Sequence, residues 1–170
     1  MKIALIGYGK MGKAIEEIAL KKGYEIVIKI DQPNLHEFTK ENLATAEVAI
    51  EFTSPHSAYD NIKKCIDFGL PVVSGSTGWT ERLEEMKKYC VDNNGAFIYS
   101  SNYSIGVNIF FEVNKKLASL MSTHDDYEVI LEETHHTQKK DAPSGTAITL
   151  AEQVMEQVQR KNKWVNELSD

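Results

Sequence analysis

Two His and two Lys fall together in His135-His136-Thr137-Gln138-Lys139-Lys140, just ahead of Ser144-Gly145-Thr146. A histidine at position 135 can trade a proton near neutral pH, and Lys139 supplies a fixed positive charge. Ser-Gly-Thr has the form of a helix start, and a helix N-terminus with a Thr hydroxyl is a place for an anion. Cations gathered in a chain of net charge −6 suggest a substrate that carries carboxylates. Two plainer readings compete. The stretch could be a solvated charged loop without chemistry, or Glu133, His135 and His136 could hold a metal. Neighbouring side chains on a strand point to opposite faces, which weighs against the metal, and none is expected.

A second group stands at the other end of the chain. Gly7-Tyr8-Gly9-Lys10-Met11-Gly12 follows the apolar run Ile3–Ile6 and precedes Ala14, Ile15, Ile18 and Ala19 at helical spacing. Strand, glycine loop and helix in that order form the context in which such a motif binds a dinucleotide. Gly7 permits the tight turn, Gly9 lets a pyrophosphate approach the backbone, and Gly12 lets helix and strand pack closely. Asp31, 19 residues after Gly12 and at the end of the second apolar run, is placed to meet the ribose hydroxyls. A 2′-phosphate wants a cation there, yet Gln32 follows Asp31. NADH is therefore favoured over NADPH, with Lys10 as a partial compensation for the latter.

Three further segments are rich in small polar residues: Phe52-Thr53-Ser54-Pro55, Ser74-Gly75-Ser76-Thr77-Gly78 and Ser100-Ser101-Asn102-Tyr103-Ser104. Each follows a short apolar run, so each is expected at the carboxyl end of a parallel strand, where doubly wound sheets bind ligands. Taken singly, any of them could be a turn or a cap.

The elements that must position these groups alternate. Strands are expected at Ile3–Ile6, Ile26–Ile30, Val48–Phe52, Pro71–Ser74 and Ala96–Ser100, with helices between them. Ser54-Pro55 has the pattern of an N-cap and first helical residue, and Thr80 that of another cap. Such alternation implies α/β architecture: a doubly wound, Rossmann-type parallel sheet. Val107–Met121 reads as an apolar helix, Tyr127–Thr134 as a sixth strand, and Ala147, Ala151, Val154 and Val158 as one face of a last helix. Residues 1–124 are expected to form the dinucleotide domain, and residues 125–170 to begin an α+β substrate domain. One strand and one helix bury too little to stand alone. That second domain is therefore expected to be incomplete, its missing strands lying beside Tyr127–Thr134 and completing an oligomer.

Composition narrows the partners. The chain has 170 residues, 42% apolar and 26% charged, with 17 Lys and only two Arg, Arg82 and Arg160. An acidic balance disfavours nucleic acid. The two cysteines, Cys65 and Cys90, form no spaced framework, and neither a signal peptide nor a membrane-length apolar run is visible. A cytoplasmic location is expected.

The stretch Glu133 to Ala147, reading Glu-x-His-His-x-x-Lys-x-Asp-Ala-Pro-Ser-Gly-Thr-Ala, resembles the 4-hydroxy-tetrahydrodipicolinate (dihydrodipicolinate) reductases of bacterial lysine and diaminopimelate biosynthesis. The glycine loop, Glu51–Pro55, Gly75–Gly78 and Ser101–Asn108 match in order. The resemblance implies reduction of a cyclic, unsaturated dicarboxylate by NADH or NADPH, with a homotetramer as the assembly. It implies His135 as proton donor or acceptor, Lys139 as a second proton donor, His136 in contact with substrate, and Gly145 and Thr146 on a carboxylate. The cofactor would be held by Gly7, Tyr8, Gly9, Lys10, Met11 and Gly12, by Asp31, Phe52 and Thr53, by Gly75, Ser76 and Thr77, and by Ser101, Asn102, Tyr103 and Ser104. The chain departs from the family in a glycine loop shorter by one residue, with Lys10 where an Arg is usual, and in Ser76 within Gly75-Ser76-Thr77. Two other readings are a module that binds NADH without turnover and a reductase of a different small acid.

Overall fold

The computed structural model describes residues 1–135, 137 and 142–166. Five parallel strands form one sheet: β1 (Lys2–Ile6), β2 (Glu25–Ile30), β3 (Val48–Glu51), β4 (Val72–Ser74) and β5 (Phe97–Tyr99), in the order β2-β1-β3-β4-β5. The expected doubly wound α/β sheet is thus present. The order reverses between β1 and β3, and that switch point is where such sheets open a crevice at the strand carboxyl ends.

Alternation along β1 explains the two layers. Ile3 and Leu5 share one face with Ala19 of α1 (Lys10–Lys21), together with Ile15, Ile26, Val48 and Ile50. Ala4 and Ile6 share the opposite face with Ile62 of α3 (Ala58–Asp67) and Met86 of α4 (Leu83–Asp92), while Leu43 of the short α2 (Lys40–Leu43) joins the same cluster. A strand buried on both faces must be apolar throughout, as Ile3–Ile6 is.

Several local expectations change. The helix after β3 starts at Ala58 rather than at Pro55. Ser54 instead closes a turn, its carbonyl accepting from Ser57 N at 3.2 Å and Ala58 N at 3.0 Å. Thr80 caps no helix; it opens a 3₁₀ turn, Thr80–Arg82, behind Trp79, whose buried indole donates to the Ser76 carbonyl at 2.8 Å. Between β2 and β3 stand a 3₁₀ turn, Gln32–Glu37, and α2, which have no periodic apolar pattern to betray them.

The chain divides into two compact units, Met1–Ser101 and a second beginning at Asn102, whereas the sequence suggested a boundary after residue 124. The helix α5 (Ile105–Met121) goes with the second unit because its partner is α6 (Gly145–Gln157). Ala118 packs with Val154 and Val158, and Asn114 Nδ2 donates to the Leu150 carbonyl at 3.1 Å and to Gln153 Oε1 at 3.0 Å. Tyr127–Thr134, expected as a strand, forms no ladder among the described residues, and Ile130 is 88% exposed. Extended backbone becomes a strand only beside a partner. The segment is held by side chains instead: Arg160 donates to the Tyr127 carbonyl at 2.5 Å and pairs with Asp125 at 3.1 Å, and Lys161 pairs with Glu128.

One buried polar group organises the strand ends of the first unit. Glu51, the last residue of β3, is completely buried. Its carboxyl accepts from Ser74 Oγ at 2.6 Å, Ser76 Oγ at 2.8 Å and Thr53 N at 3.0 Å, and Thr53 Oγ1 bonds to it as well. The donors come from the loop after β3 and from the end of β4 with its loop, so a single carboxyl pins two crevice walls. Replacing Glu51 by Ala leaves these donors buried without an acceptor, and unfolding in urea is expected to register a loss of about 2–4 kcal/mol. Glu51→Gln, which still offers one accepting oxygen, should lose roughly half as much.

Candidate functional site

The glycine loop makes the turn that its sequence requires. Gly7 has φ of +96°, and a Cβ built on it would lie 2.0 Å from the Phe52 carbonyl oxygen. A Cβ on Gly12 would lie 2.3 Å from the Gly7 carbonyl oxygen, so the first turn of α1 rests directly on the loop. Gly9 differs: a Cβ there meets nothing within 4 Å. Both crevice cavities touch Gly9, so its bare backbone faces open space. No side chain caps α1 at Gly9. The N–H groups of its first turn are therefore left to a ligand, and their partial positive charge favours an anion.

The first cavity, about 320 Å³, is lined by Gly7, Tyr8, Gly9, Asp31, Phe52 and Thr53 among others. The second, about 300 Å³, is lined by Gly9, Lys10, Met11 and Thr53, and on its far side by Gly75, Ser76 and Thr77. Three segments far apart in sequence thus share one crevice at the β1/β3 switch point. A backbone cradle with open amides, next to a carboxylate at the end of β2, fits a pyrophosphate with a ribose beside it. The residues present therefore suit a dinucleotide.

The hydroxyls of that crevice are not as available as the sequence suggests. Thr53 Oγ1 bonds to Glu51 and accepts from Ser57 Oγ at 3.0 Å and from Asn61 Nδ2 at 3.2 Å. Ser76 Oγ donates to Glu51 and accepts from Thr53 N at 2.7 Å. Both side chains are committed to the scaffold, and what they present to a ligand is shape and backbone. Ser57 and Asn61 line the first cavity without having been expected there. The acid at the end of the apolar run Val48–Ile50 is the sequence feature that would have led to this network.

Around Asp31 the charges are tied down locally. Asp31 Oδ1 accepts from Gln32 N at 2.9 Å and its own N–H donates to Asn34 Oδ1 at 2.8 Å, which shapes the following turn. Nearby on β2, Lys29 pairs with Glu16 at 3.2 Å and stands 4.7 Å over the Tyr8 ring. The Tyr8 hydroxyl donates to Glu16, and that bond pushes the tyrosine upward from its ordinary titration range. Lys10 is exposed at the start of α1.

Ser101 ends the first unit and lines neither cavity, while Asn102, Tyr103 and Ser104 belong to the second. There they shape the start of α5: Ser104 Oγ accepts from Val107 N at 3.5 Å, and Asn108 Nδ2 donates to the Asn102 carbonyl at 2.9 Å.

In the second unit His135 Nε2 lies 2.8 Å from Glu133 Oε2. Ser144 N donates to Glu133 Oε1 at 2.8 Å, and Ser144 Oγ donates to Oε2. These bonds, with Ser144 and His135 as the main partners, pull the Glu133 carboxyl down to about 2. Ser144 also caps α6, its Oγ accepting from Ala147 N at 3.1 Å. Gly145 and Thr146 open that helix, and their N–H groups meet no acceptor among the described residues. His136 and Lys139 lie outside the described residues. Among the described residues no cluster of His, Cys, Asp and Glu has metal-site geometry, and no helix is long and apolar enough to cross a membrane.

Comparison with known proteins bears on this arrangement. Profiles of dihydrodipicolinate reductase match the chain twice, the N-terminal part over residues 1–103 and the C-terminal part over residues 106–169. The 4-hydroxy-tetrahydrodipicolinate reductase of Christiangramia forsetii is 46% identical over 168 residues, covering 96% of this chain and 68% of that protein. The enzyme of the same name from Methanobrevibacter smithii is 35% identical over 189 residues, covering 94% and 67%. Among solved structures, dipicolinate-bound dihydrodipicolinate reductase from Paenisporosarcina sp. TG-14 aligns with a TM-score of 0.68 at 25% identity, over 100% of this chain and 71% of that one. A WlbA dehydrogenase from Chromobacterium violaceum, in complex with NADH and UDP-GlcNAcA, has a TM-score of 0.54 at 15% identity, over 73% and 41%, a likeness of fold alone. With both halves matched and relatives of this identity, the chain belongs to the dihydrodipicolinate reductase family.

Proposed function

We propose that this protein reduces 4-hydroxy-tetrahydrodipicolinate to tetrahydrodipicolinate with a nicotinamide dinucleotide, a step of lysine and diaminopimelate biosynthesis. The observation that carries this reading is the 46% identity to a reductase of that name along nearly the whole chain. The bare, uncapped start of α1 at the switch point supports the dinucleotide independently. When bound there, the nicotinamide supplies a hydride for a ring carbon of the substrate.

The chain's own residues have three tasks. The first-turn amides of α1 and the glycine backbone hold the pyrophosphate, and Asp31 meets the adenosine ribose. Gly145 and Thr146 offer N–H groups to a substrate carboxylate at the start of α6. His135 handles the proton that must follow hydride addition, since the enamine-like anion formed needs a cationic surrounding and then protonation. Lys139 serves as second proton donor and His136 as a substrate contact, both by their places in the matched motif.

The whole gene product should oxidise NADH when the condensation product of pyruvate and aspartate semialdehyde is supplied; no oxidation at saturating cofactor would sink the proposal. His135→Ala should lower turnover by about 10²–10⁴-fold, the usual worth of a general acid. NADH affinity should stay within about twofold, because His135 is not part of the first unit. A module that merely binds NADH would be indifferent to that change.

We infer further that NADH binds at least as tightly as NADPH. Asp31 repels a 2′-phosphate, Gln32 offers it no charge, and Lys29 is already paired with Glu16. Calorimetric titration of both dinucleotides measures this. A tenfold preference for NADPH, about 1.4 kcal/mol, would mean that Lys10 or Lys29 outweighs Asp31.

A further inference from the structure

Glu133 stands two residues before His135, has no place in the proton-transfer scheme above, and yet makes three directed contacts. It takes the imidazole by Nε2, the backbone N–H of Ser144 and the hydroxyl of Ser144. An ionised carboxylate has only lone pairs to offer. With its titration held down at about 2, Glu133 is ionised at any working pH. The hydrogen in the 2.8 Å contact therefore sits on the imidazole, at Nε2. Among the described residues, Nδ1 has no partner. A ring held at one nitrogen by a fixed acceptor has its tautomer and orientation set, and the other nitrogen is left for exchange.

The second contact gives that fixation a reference point. Ser144 is the N-cap of α6, and its hydroxyl donates to Glu133 while accepting from Ala147 N. Glu133 thus joins the imidazole to the helix end whose next two residues, Gly145 and Thr146, have open N–H groups. A shift of one is felt by the other.

We propose that Glu133 is a positioning residue: it holds His135 by Nε2–H, ties it through Ser144 to the start of α6, and leaves Nδ1 to take a proton from water and pass it, as the Nδ1–H of the imidazolium, to the anion formed by hydride addition, which returns the ring to its Nε2–H form. The proposal deepens the reductase reading and rests on it for the role of His135. A purely structural Glu133, serving only as a partner of the Ser144 cap, predicts something different. Its loss would then resemble the loss of the Ser144 hydroxyl and leave the imidazole tautomer alone.

The test is made on the whole protein with ¹⁵N-labelled histidine. Long-range ¹H–¹⁵N correlation distinguishes the two neutral tautomers, and a His135→Asn variant identifies the signal. The wild type should carry its proton on Nε2. Glu133→Gln should lose that preference and lower kcat by about tenfold or more, with the KM for NADH unchanged. Ser144→Ala should keep the Nε2–H tautomer, and Glu133→Asp should recover part of the kcat lost in Glu133→Gln. A neutral wild-type ring protonated on Nδ1 instead of Nε2 overturns the proposal whatever the variants do, including any that fail to fold. An unchanged tautomer and kcat in Glu133→Gln overturns it equally. Absence of reductase activity in the wild type would count against the function instead, and the tautomer measurement would still decide the contact.

Discussion

A carboxyl group without solvent must be surrounded by donors, and in this protein that requirement shapes the crevice. Glu51 closes β3 with no exposure, and four hydrogen bonds from Thr53, Ser74 and Ser76 meet it. Among the described residues no Lys or Arg is its partner, and hydroxyls and one amide supply the hydrogen bonds. The consequence is geometric. Thr53 has to fold back over the strand end, which places Phe52 where its ring fills the space that a Cβ on Gly75 would need, 2.2 Å away. The same backbone puts the Phe52 carbonyl against Gly7. Glycine loop, β3 loop and β4 loop are three parts of one packing solution centred on Glu51. The carboxyl also adds to the burial that pushes the Cys65 thiol up to about 12, which keeps that cysteine unreactive.

The first unit was largely legible because its information is local. Ile3–Ile6 is an unbroken apolar run of strand length, and Gly7, Gly9 and Gly12 follow it with the spacing of a tight turn onto a helix. Boundaries shifted where side chains compete with the backbone. Ser54 looks like a cap, but it sits in a hydroxyl cluster with Ser57 that delays α3 to Ala58. The turn after Asp31 depends on Asp31 and Asn34 bonding back to the chain, which no apolar period reports. Thr53 and Ser76 line the crevice cavities, and their hydroxyls bond to Glu51, a link between side chains that no single stretch of sequence reports.

The second unit was less legible because its decisive contacts are not local. Tyr127–Thr134 has strand composition, but composition supplies no neighbour, and the segment is fixed by Arg160 and Lys161 from beyond α6. The helix α5 falls where a domain boundary would follow it in sequence. Its Asn114 instead reaches α6, across more than thirty intervening residues. The motif around Ser144 was readable as a helix start, and Ser144 is indeed the N-cap of α6. What the motif could not disclose is that Glu133, the residue that opens it, bonds both to its histidine and to that cap.

Charge placement follows a consistent logic across these observations. The chain has two arginines, and both are structural. Arg82 pairs with Glu85 at 2.9 Å and lies over the Tyr59 ring, while Arg160 secures the Asp125–Tyr127 segment. Neither lines a crevice cavity. Lys29, the basic residue nearest Asp31 on β2, is held by Glu16 and by the face of Tyr8. With both guanidinium groups paired elsewhere, what the start of α1 offers an anion is its backbone N–H groups and the helix end. These amides carry no net charge and make no distinction between phosphates that differ by a remote substituent. The local charge beside Asp31 is set by a few side chains. The pairing of Lys29 with Glu16 keeps that neighbourhood short of positive charge, and the acidity of the whole chain reinforces it.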